Sequence, residues 1–368
     1  MSGGIPDCVP VAPDFSNMIP ARRTGKPFWD LYLYDDPPIW EAYIETAKYF
    51  DIDAVMDGYF PLRYPSDEDS GEPEWEPFMV YRDPERIITQ QSHLKNGKRI
   101  WKDTVDVYYV ADPPTEGVRP EMVGLPPAPS TFEPLEGVWK ADRGPKGLKR
   151  VKRLMGDQGL VGIELISSRA LTSVDAIYEY YEHPELHEQW ALERVQQVER
   201  RFRDIMEMEV RPDFICVGGS GTLIFQTLEI FRQLAFPAVK RGIELATEAG
   251  FFTHIHSCGP EKELVRIMAE ETRLTVIDPL EVPPMGDCHL AEIKRLYGDR
   301  IVLKGNLHTT DVMLHPDVNV VIDASRKAID DAAKGGRFIL STGDQCGRDT
   351  PDENLFAMVE TARTYGRY

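Results

Sequence analysis

From about residue 151 onward, short apolar runs alternate with longer amphipathic ones. The runs at 160–165, 214–217, 251–256, 274–277, 301–304 and 338–341 are short and rich in Ile, Val, Leu and Phe, which predicts buried strands. Between or after them, apolar residues recur at helical spacing. Helices are predicted over 185–206, 229–249 (with a break at Pro237), 261–270, 289–297, 320–333 and 352–365. The last of these starts cleanly, because Thr350-Pro351-Asp352-Glu353 joins a capping Thr-x-x-Glu to a proline at the first helical position. Alternating strand and helix argues for a parallel sheet. Without a dinucleotide glycine fingerprint, the expected α/β architecture is a (β/α)8 TIM barrel rather than a doubly wound sheet. Gly218-Gly219-Ser220-Gly221 lacks both the Lys-Ser/Thr of a P-loop and the spacing of a dinucleotide turn, so it reads as a loop of close approach.

The N-terminal part is less regular. Val9-Pro10-Val11-Ala12-Pro13 is apolar, Arg22, Arg23 and Lys26 follow, and an amphipathic helix is predicted over 39–50. Asp53-Ala54-Val55-Met56-Asp57 reads as a strand end. Residues 61–147 are rich in Pro, acidic residues and aromatics, among them Trp75, Tyr81, Trp101, Tyr108, Tyr109 and Trp139. Lys95-Asn96-Gly97-Lys98 predicts a hairpin turn within them. The expectation is one domain over 1–368 with an N-terminal insertion at 61–147. That insertion is either a surface elaboration with its own aromatic cluster, or a cap or subunit-contact arm near the barrel mouth. A subunit-contact arm would fit a homodimer.

Composition narrows the function classes. A net charge of −19 argues against nonspecific nucleic-acid or anionic-membrane binding. Five cysteines, sparse and odd in number, do not make a disulfide framework and fit a reducing cytoplasm. The first residues lack the pattern of a signal peptide, and no apolar run approaches the length that spans a bilayer. A cytoplasmic protein with neither a nucleic-acid nor a membrane partner is expected.

The candidate chemistry centres on His256-Ser257-Cys258-Gly259. In an extended segment, side chains two apart point the same way, so His256 and Cys258 could reach one ion at a strand end. Glu281 and Cys346 each follow another predicted strand. Ligands just past three strand ends are what a barrel needs to build a site on its C-terminal face. His256, Cys258, Glu281 and Cys346 make a plausible zinc set, with Glu281 the carboxylate that can leave. Asp278, His254 and Asn306 are candidates for orienting ligands or substrate, the alternative for each being a structural hydrogen bond. Cys288 and His289 are a rival ligand pair, read as helix-start and packing residues, and Cys8 and Cys216 are read as inert.

Several segments, taken in order, resemble the uroporphyrinogen decarboxylase superfamily. They are Phe236-Pro237-Ala238-Val239-Lys240-Arg241, His256-Ser257-Cys258-Gly259, Asp278-Pro279-Leu280-Glu281-Val282-Pro283-Pro284-Met285-Gly286-Asp287, Lys304-Gly305-Asn306-Leu307 and Thr350-Pro351-Asp352-Glu353-Asn354-Leu355. The resemblance runs from near Arg200 to near Gly366 and implies a (β/α)8 barrel. One branch of the superfamily holds decarboxylases that use an N-terminal Asp and Arg residues. Their Met-Arg-Gln-Ala-Gly-Arg-like motif is absent here, and Arg22 and Asp57 are only distant stand-ins. The other branch holds zinc methyltransferases that exchange methyl groups with corrinoid proteins, including the coenzyme M methyltransferases. His256, Cys258 and Cys346 match their His-x-Cys…Cys motif, and Glu281 sits where cobalamin-independent methionine synthase carries a Glu. The resemblance therefore implies a zinc-dependent methyltransferase with His256, Cys258, Glu281 and Cys346 on the metal and Glu281, Asp278 and Asn306 in catalysis. It would move a methyl group between a small methylated compound and a methylcorrinoid (cobalamin) carried by a partner protein. The acidic balance and the aromatic-rich insertion favour a neutral or aromatic donor, hence O-demethylation of an aryl methyl ether. The alternatives are a uroporphyrinogen decarboxylase-like decarboxylase, a methylcorrinoid:thiol methyltransferase, and a non-catalytic corrinoid- or metal-binding protein.

Overall fold

The computed structural model describes residues 4–67 and 75–368. Its strands, in chain order, are β1 (Ala54–Met56), β2 (Glu76–Arg82), β3 (Arg86–Lys95), β4 (Lys98–Tyr109), β5 (Thr115–Val118) and β6 (Glu133–Pro134), then β7 (Gly159–Glu164), β8 (Phe214–Cys216), β9 (Phe252–His256), β10 (Val276–Asp278), β11 (Val302–Leu307) and β12 (Phe338–Thr342). They form two sheets, and the described residues fall into two compact units.

The first unit comprises residues 4–14, 47–67 and 143–368. Its sheet runs β1-β7-β8-β9-β10-β11-β12, curls, and is parallel throughout. All six strands expected between residues 160 and 341 are present, with ends moved by a few residues. Ile163, Ile215, Ile255, Ile277, Leu303 and Leu340 are fully buried. Such runs are apolar on both faces because helices cover one face and the sheet's own curl covers the other. Ala12, Val55, Phe214, Val276, Val302 and Ile339 pack together as one core cluster. Residues 10–12 hydrogen-bond at both sides of the sheet. Leu340 N–H donates to Pro10 O, Ala12 N–H to Leu340 O, and Asp53 N–H to Val11 O.

The helices also follow the expected order: His187–Glu207, Phe236–Glu248, Lys262–Glu271, Leu290–Tyr297, Val318–Ala332 and Asp352–Thr364. The helix expected over 229–249 is interrupted just ahead of Pro237. A π turn at Phe231–Ala235 precedes it, and proline falls in the first turn of the next helix, where its missing N–H forfeits little.

The second unit comprises residues 15–46 and 75–142. Its antiparallel sheet runs β5-β4-β3-β2-β6. Asn96 and Gly97 both have positive φ (52° and 75°), as the predicted Asn-Gly hairpin turn requires. Phe78, Trp101 and Phe132 stack edge to face, and the Arg99 guanidinium lies 4.3 Å from the Phe78 ring centroid. Trp139 belongs to a different cluster, with Trp29, Leu33, Ile87 and Tyr108. The boundaries thus differ from an insertion at 61–147 in a single domain. Residues 15–46 join the antiparallel unit, while 61–67 and 143–147 side with the parallel one. The short helices Met18–Thr24 and Phe28–Tyr32 leave too little periodicity to read, and Trp29 and Leu33 pack under the sheet.

Among the described residues no helix is long and apolar enough to cross a membrane. All five cysteines are free thiols.

Candidate metal centre

The strand register sets the geometry. His256, the last residue of β9, pairs with Asp278, the last of β10. Side chains from adjacent parallel strand ends therefore converge at one level, beside the residues that follow β11 and β12.

Asp278 anchors the lower layer. It is only 1% exposed and forms a buried ion pair with Lys304 of β11. Its Oδ1 lies 2.8 Å from His254 Nε2 and 3.5 Å from His256 Nδ1. His254 is fully buried, with Nδ1 3.4 Å from Asp57 Oδ2. Burial alone would raise the Asp278 pKa, but the Lys304 ammonium and the two imidazoles hold it well below the carboxylate range. Burial likewise disfavours the Lys304 ammonium, which Asp278, Asp57 and Asp14 outweigh, leaving its pKa raised. Asp278 also lies at the Nδ1 side of His256, which leaves Nε2 on the far side. There Nε2 is buried, has no hydrogen-bond partner, and sits 3.6 Å from Asp344 Oδ1.

The upper layer holds Cys258, Glu281 and Asp344, which offer donor atoms within 4.8 Å of one another. Asp14, His256 and Asp344 form a second such group, and Asp57, His256 and Asp278 a third. One Glu281 oxygen accepts the Gly259 N–H, and burial raises the Glu281 pKa. Desolvation opposes the charged form of His256, but Asp278, Asp344 and Cys258 more than offset it and raise its pKa.

Of the four expected ligands, Cys258 and Glu281 share a donor group with Asp344, His256 shares a different one with Asp344, and Cys346 stands apart from both. Its thiol is buried, burial pushes its pKa up to about 12 against a lowering effect of Thr342 and Thr350, and its N–H donates to Asp14 O. Among the described residues no group of three donors at this spacing includes Cys346. Asp344, two residues earlier in the loop, occupies that side of the cluster. The sequence reading passed over Asp344, although an acidic residue just past a strand end is the same signal that singled out Glu281. Lys304 and Glu261 were also missed, since buried charges look like surface charges in a sequence.

The remaining candidates are placed as follows. Asn306 is buried, and its Nδ2 donates to Leu280 O at 2.9 Å, just ahead of Glu281. Cys288 is buried at the start of Leu290–Tyr297, and its N–H donates to Glu281 O at 3.0 Å. Among the described residues neither Cys288 nor His289 joins a donor group. Asp57 reaches the site through His254, whereas Arg22 lies in the other unit. A thiol and two carboxylates, one of them 3.6 Å from an imidazole nitrogen that has no hydrogen-bond partner, offer donors that could hold a divalent cation of borderline softness.

Comparison with known proteins bears on the same stretch. Residues 209–365 match the family model of uroporphyrinogen decarboxylase (URO-D). A methyltransferase from Methanosarcina mazei shares the fold, with a TM-score of 0.61 and 16% identity over 99% of this chain and 96% of its own. No curated protein matches the chain. The stretch similar to the uroporphyrinogen decarboxylase family, residues 209–365, is the one that carries β8 to β12 together with His256 and its partners on those strands.

Proposed function

We propose that this chain is a zinc-dependent methyltransferase of the corrinoid-linked branch. The observation that carries this reading is the buried His256 Nε2, which has no hydrogen-bond partner and lies 3.6 Å from Asp344, a carboxylate that groups with the Cys258 thiol and Glu281. His256, Cys258 and Glu281 would hold the ion, with Asp344 or the neighbouring Cys346 as the fourth donor. Zinc, when bound, supplies Lewis acidity that lowers the pKa of a thiol or polarises an ether oxygen.

The chain's own residues prepare that site. Asp278 fixes the His256 ring from the Nδ1 side, and Lys304 keeps Asp278 ionised. Glu281 has an alternative partner in the Gly259 N–H, so its carboxylate can leave the ion without being stranded in a buried place. Asn306 steadies the loop that carries Glu281. In this reading the segment at residues 10–12 is the eighth stave of a (β/α)8 barrel, and its backbone bonds on both sides of the sheet support that role.

The substrate proposed is a small methylated compound, with an aryl methyl ether first and a thiol acceptor second. The partner is a corrinoid protein carrying the cobalamin, and free thiols suit a cytoplasmic setting. The test is turnover with a corrinoid protein and a panel of methoxyarenes and thiols. Methyl transfer that chelator abolishes supports the reading, and no transfer with any pair contradicts it. A decarboxylase is the second reading, favoured by the family match and by Asp57 beside His254. It predicts activity that survives chelation and is lost in Asp57→Asn.

A further inference from the structure

We infer that Glu261 is a positioning residue for Glu281, acting through the backbone of Leu280. The inference rests on the metal reading above and adds a residue to it. The loops after β9 and β10 exchange carboxylates for amides. Glu281, from the second loop, accepts the Gly259 N–H of the first, and Glu261 Oε2, from the first, accepts the Leu280 N–H of the second at 2.5 Å. Cys258 and Glu281 are thereby tied to each other before any ion is considered.

Leu280 is the pivot of this exchange. Its φ is 61°, a left-handed conformation that a side chain larger than glycine rarely adopts. The residue is fully buried and is held from both sides, its N–H by Glu261 and its carbonyl by Asn306 Nδ2. Neighbouring backbone packs closely against this loop at two glycines. A Cβ at Gly305 would stand 2.3 Å from Pro279 O, and one at Gly286 would stand 2.3 Å from Glu281 O. Removing the Glu261 acceptor leaves a buried N–H unpaired and gives Leu280 reason to return to negative φ. That rotation would turn the next peptide and carry the Glu281 carboxylate away from Cys258. Glu261 is itself fully buried, and its Oε1 has no partner. This expense is hard to explain if a simple packing residue would serve.

The experiment is Co(II) titration of metal-free protein, followed by visible absorption, in wild type, Glu261→Leu, Glu261→Gln, Glu281→Ala and Glu261→Leu/Glu281→Ala. Glu261→Leu should weaken Co(II) binding about tenfold or more and alter the ligand-field bands. Glu261→Gln keeps an acceptor for Leu280 and should bind within about twofold of wild type. In the Glu281→Ala background, Glu261→Leu should add no further loss, because its effect passes through Glu281. Losses that multiply in the double variant, or a Gln variant as weak as Leu, would overturn the inference. If Glu261→Leu does not fold, Asn306→Ala releases the other side of the pivot and is compared in the same way, with multiplying losses again overturning the inference. Wild type that binds no Co(II) overturns the metal reading and this inference with it, an outcome distinct from binding that simply ignores Glu261.

Discussion

The two layers of the site differ in how their charges are balanced. In the lower one, Asp278, Lys304 and His254 are almost fully buried and face one another. In the upper one, Cys258, Glu281 and Asp344 share only the edge of His256, and among the described residues neither carboxylate has a Lys or Arg ion pair. A buried charge must be compensated within the fold, and in the lower layer the Lys304 ammonium compensates the Asp278 carboxylate. Donors that converge without compensation indicate that something else is meant to meet them. Stability should therefore reside below and ligand affinity above.

The comparison can be broken most forcefully at Lys304. Lys304→Met leaves Asp278 buried without its cation and should cost about 3–5 kcal/mol, read by urea denaturation. Loss of less than about 1 kcal/mol would mean that the lower layer is not the structural one.

The upper layer should respond in the opposite way. Cys258→Ala and Asp344→Ala should lower metal affinity at least about tenfold while changing stability of the metal-free protein by no more than about 1 kcal/mol. Comparable stability losses in both layers would erase the distinction.

The pH dependence sharpens the contrast. The folded pKa of Asp278 is depressed, so its contribution is present above the unfolded carboxylate value and is lost as pH falls through the folded value. The folded pKa of Lys304 is raised, so its contribution is present below the unfolded lysine value and fades only as pH rises through the folded one. The pair should give a plateau between about pH 5 and 10, by reference pKa values near 4 and 10.4. An Asp278→Asn/Lys304→Met double variant should lose the pair's share of both limbs in denaturation measured across pH, and unchanged limbs would remove this pair as their cause.

The smallest effect is expected far from the chemistry. Arg99→Ala removes a guanidinium from the Phe78 ring and should cost the antiparallel unit about 1 kcal/mol, with metal affinity unchanged. A change in metal affinity there would contradict the separation of roles.

Much of the parallel sheet was legible in the sequence because each strand is a short apolar run between amphipathic helices, a contrast that survives without any neighbour in view. His256, Cys258 and Glu281 stand out as candidates for the same reason, since they lie at or just past the ends of such runs. Cys346 shows the limit of a motif, which fixes spacing along the chain and leaves the rotamer open: among the described residues its thiol joins no group of three donors. Lys304 and Glu261 were invisible, as their roles arise from partners 26 and 19 residues away. The extent of the antiparallel unit was blurred because residues 15–46 join it across the intervening chain.

The most direct measurement is elemental analysis of the purified wild type beside Cys258→Ala, Asp344→Ala and Cys346→Ala. The account predicts about one zinc per chain in wild type, lost in Cys258→Ala and in at least one of the other two. No zinc in wild type, or zinc retained in all three variants, would contradict it.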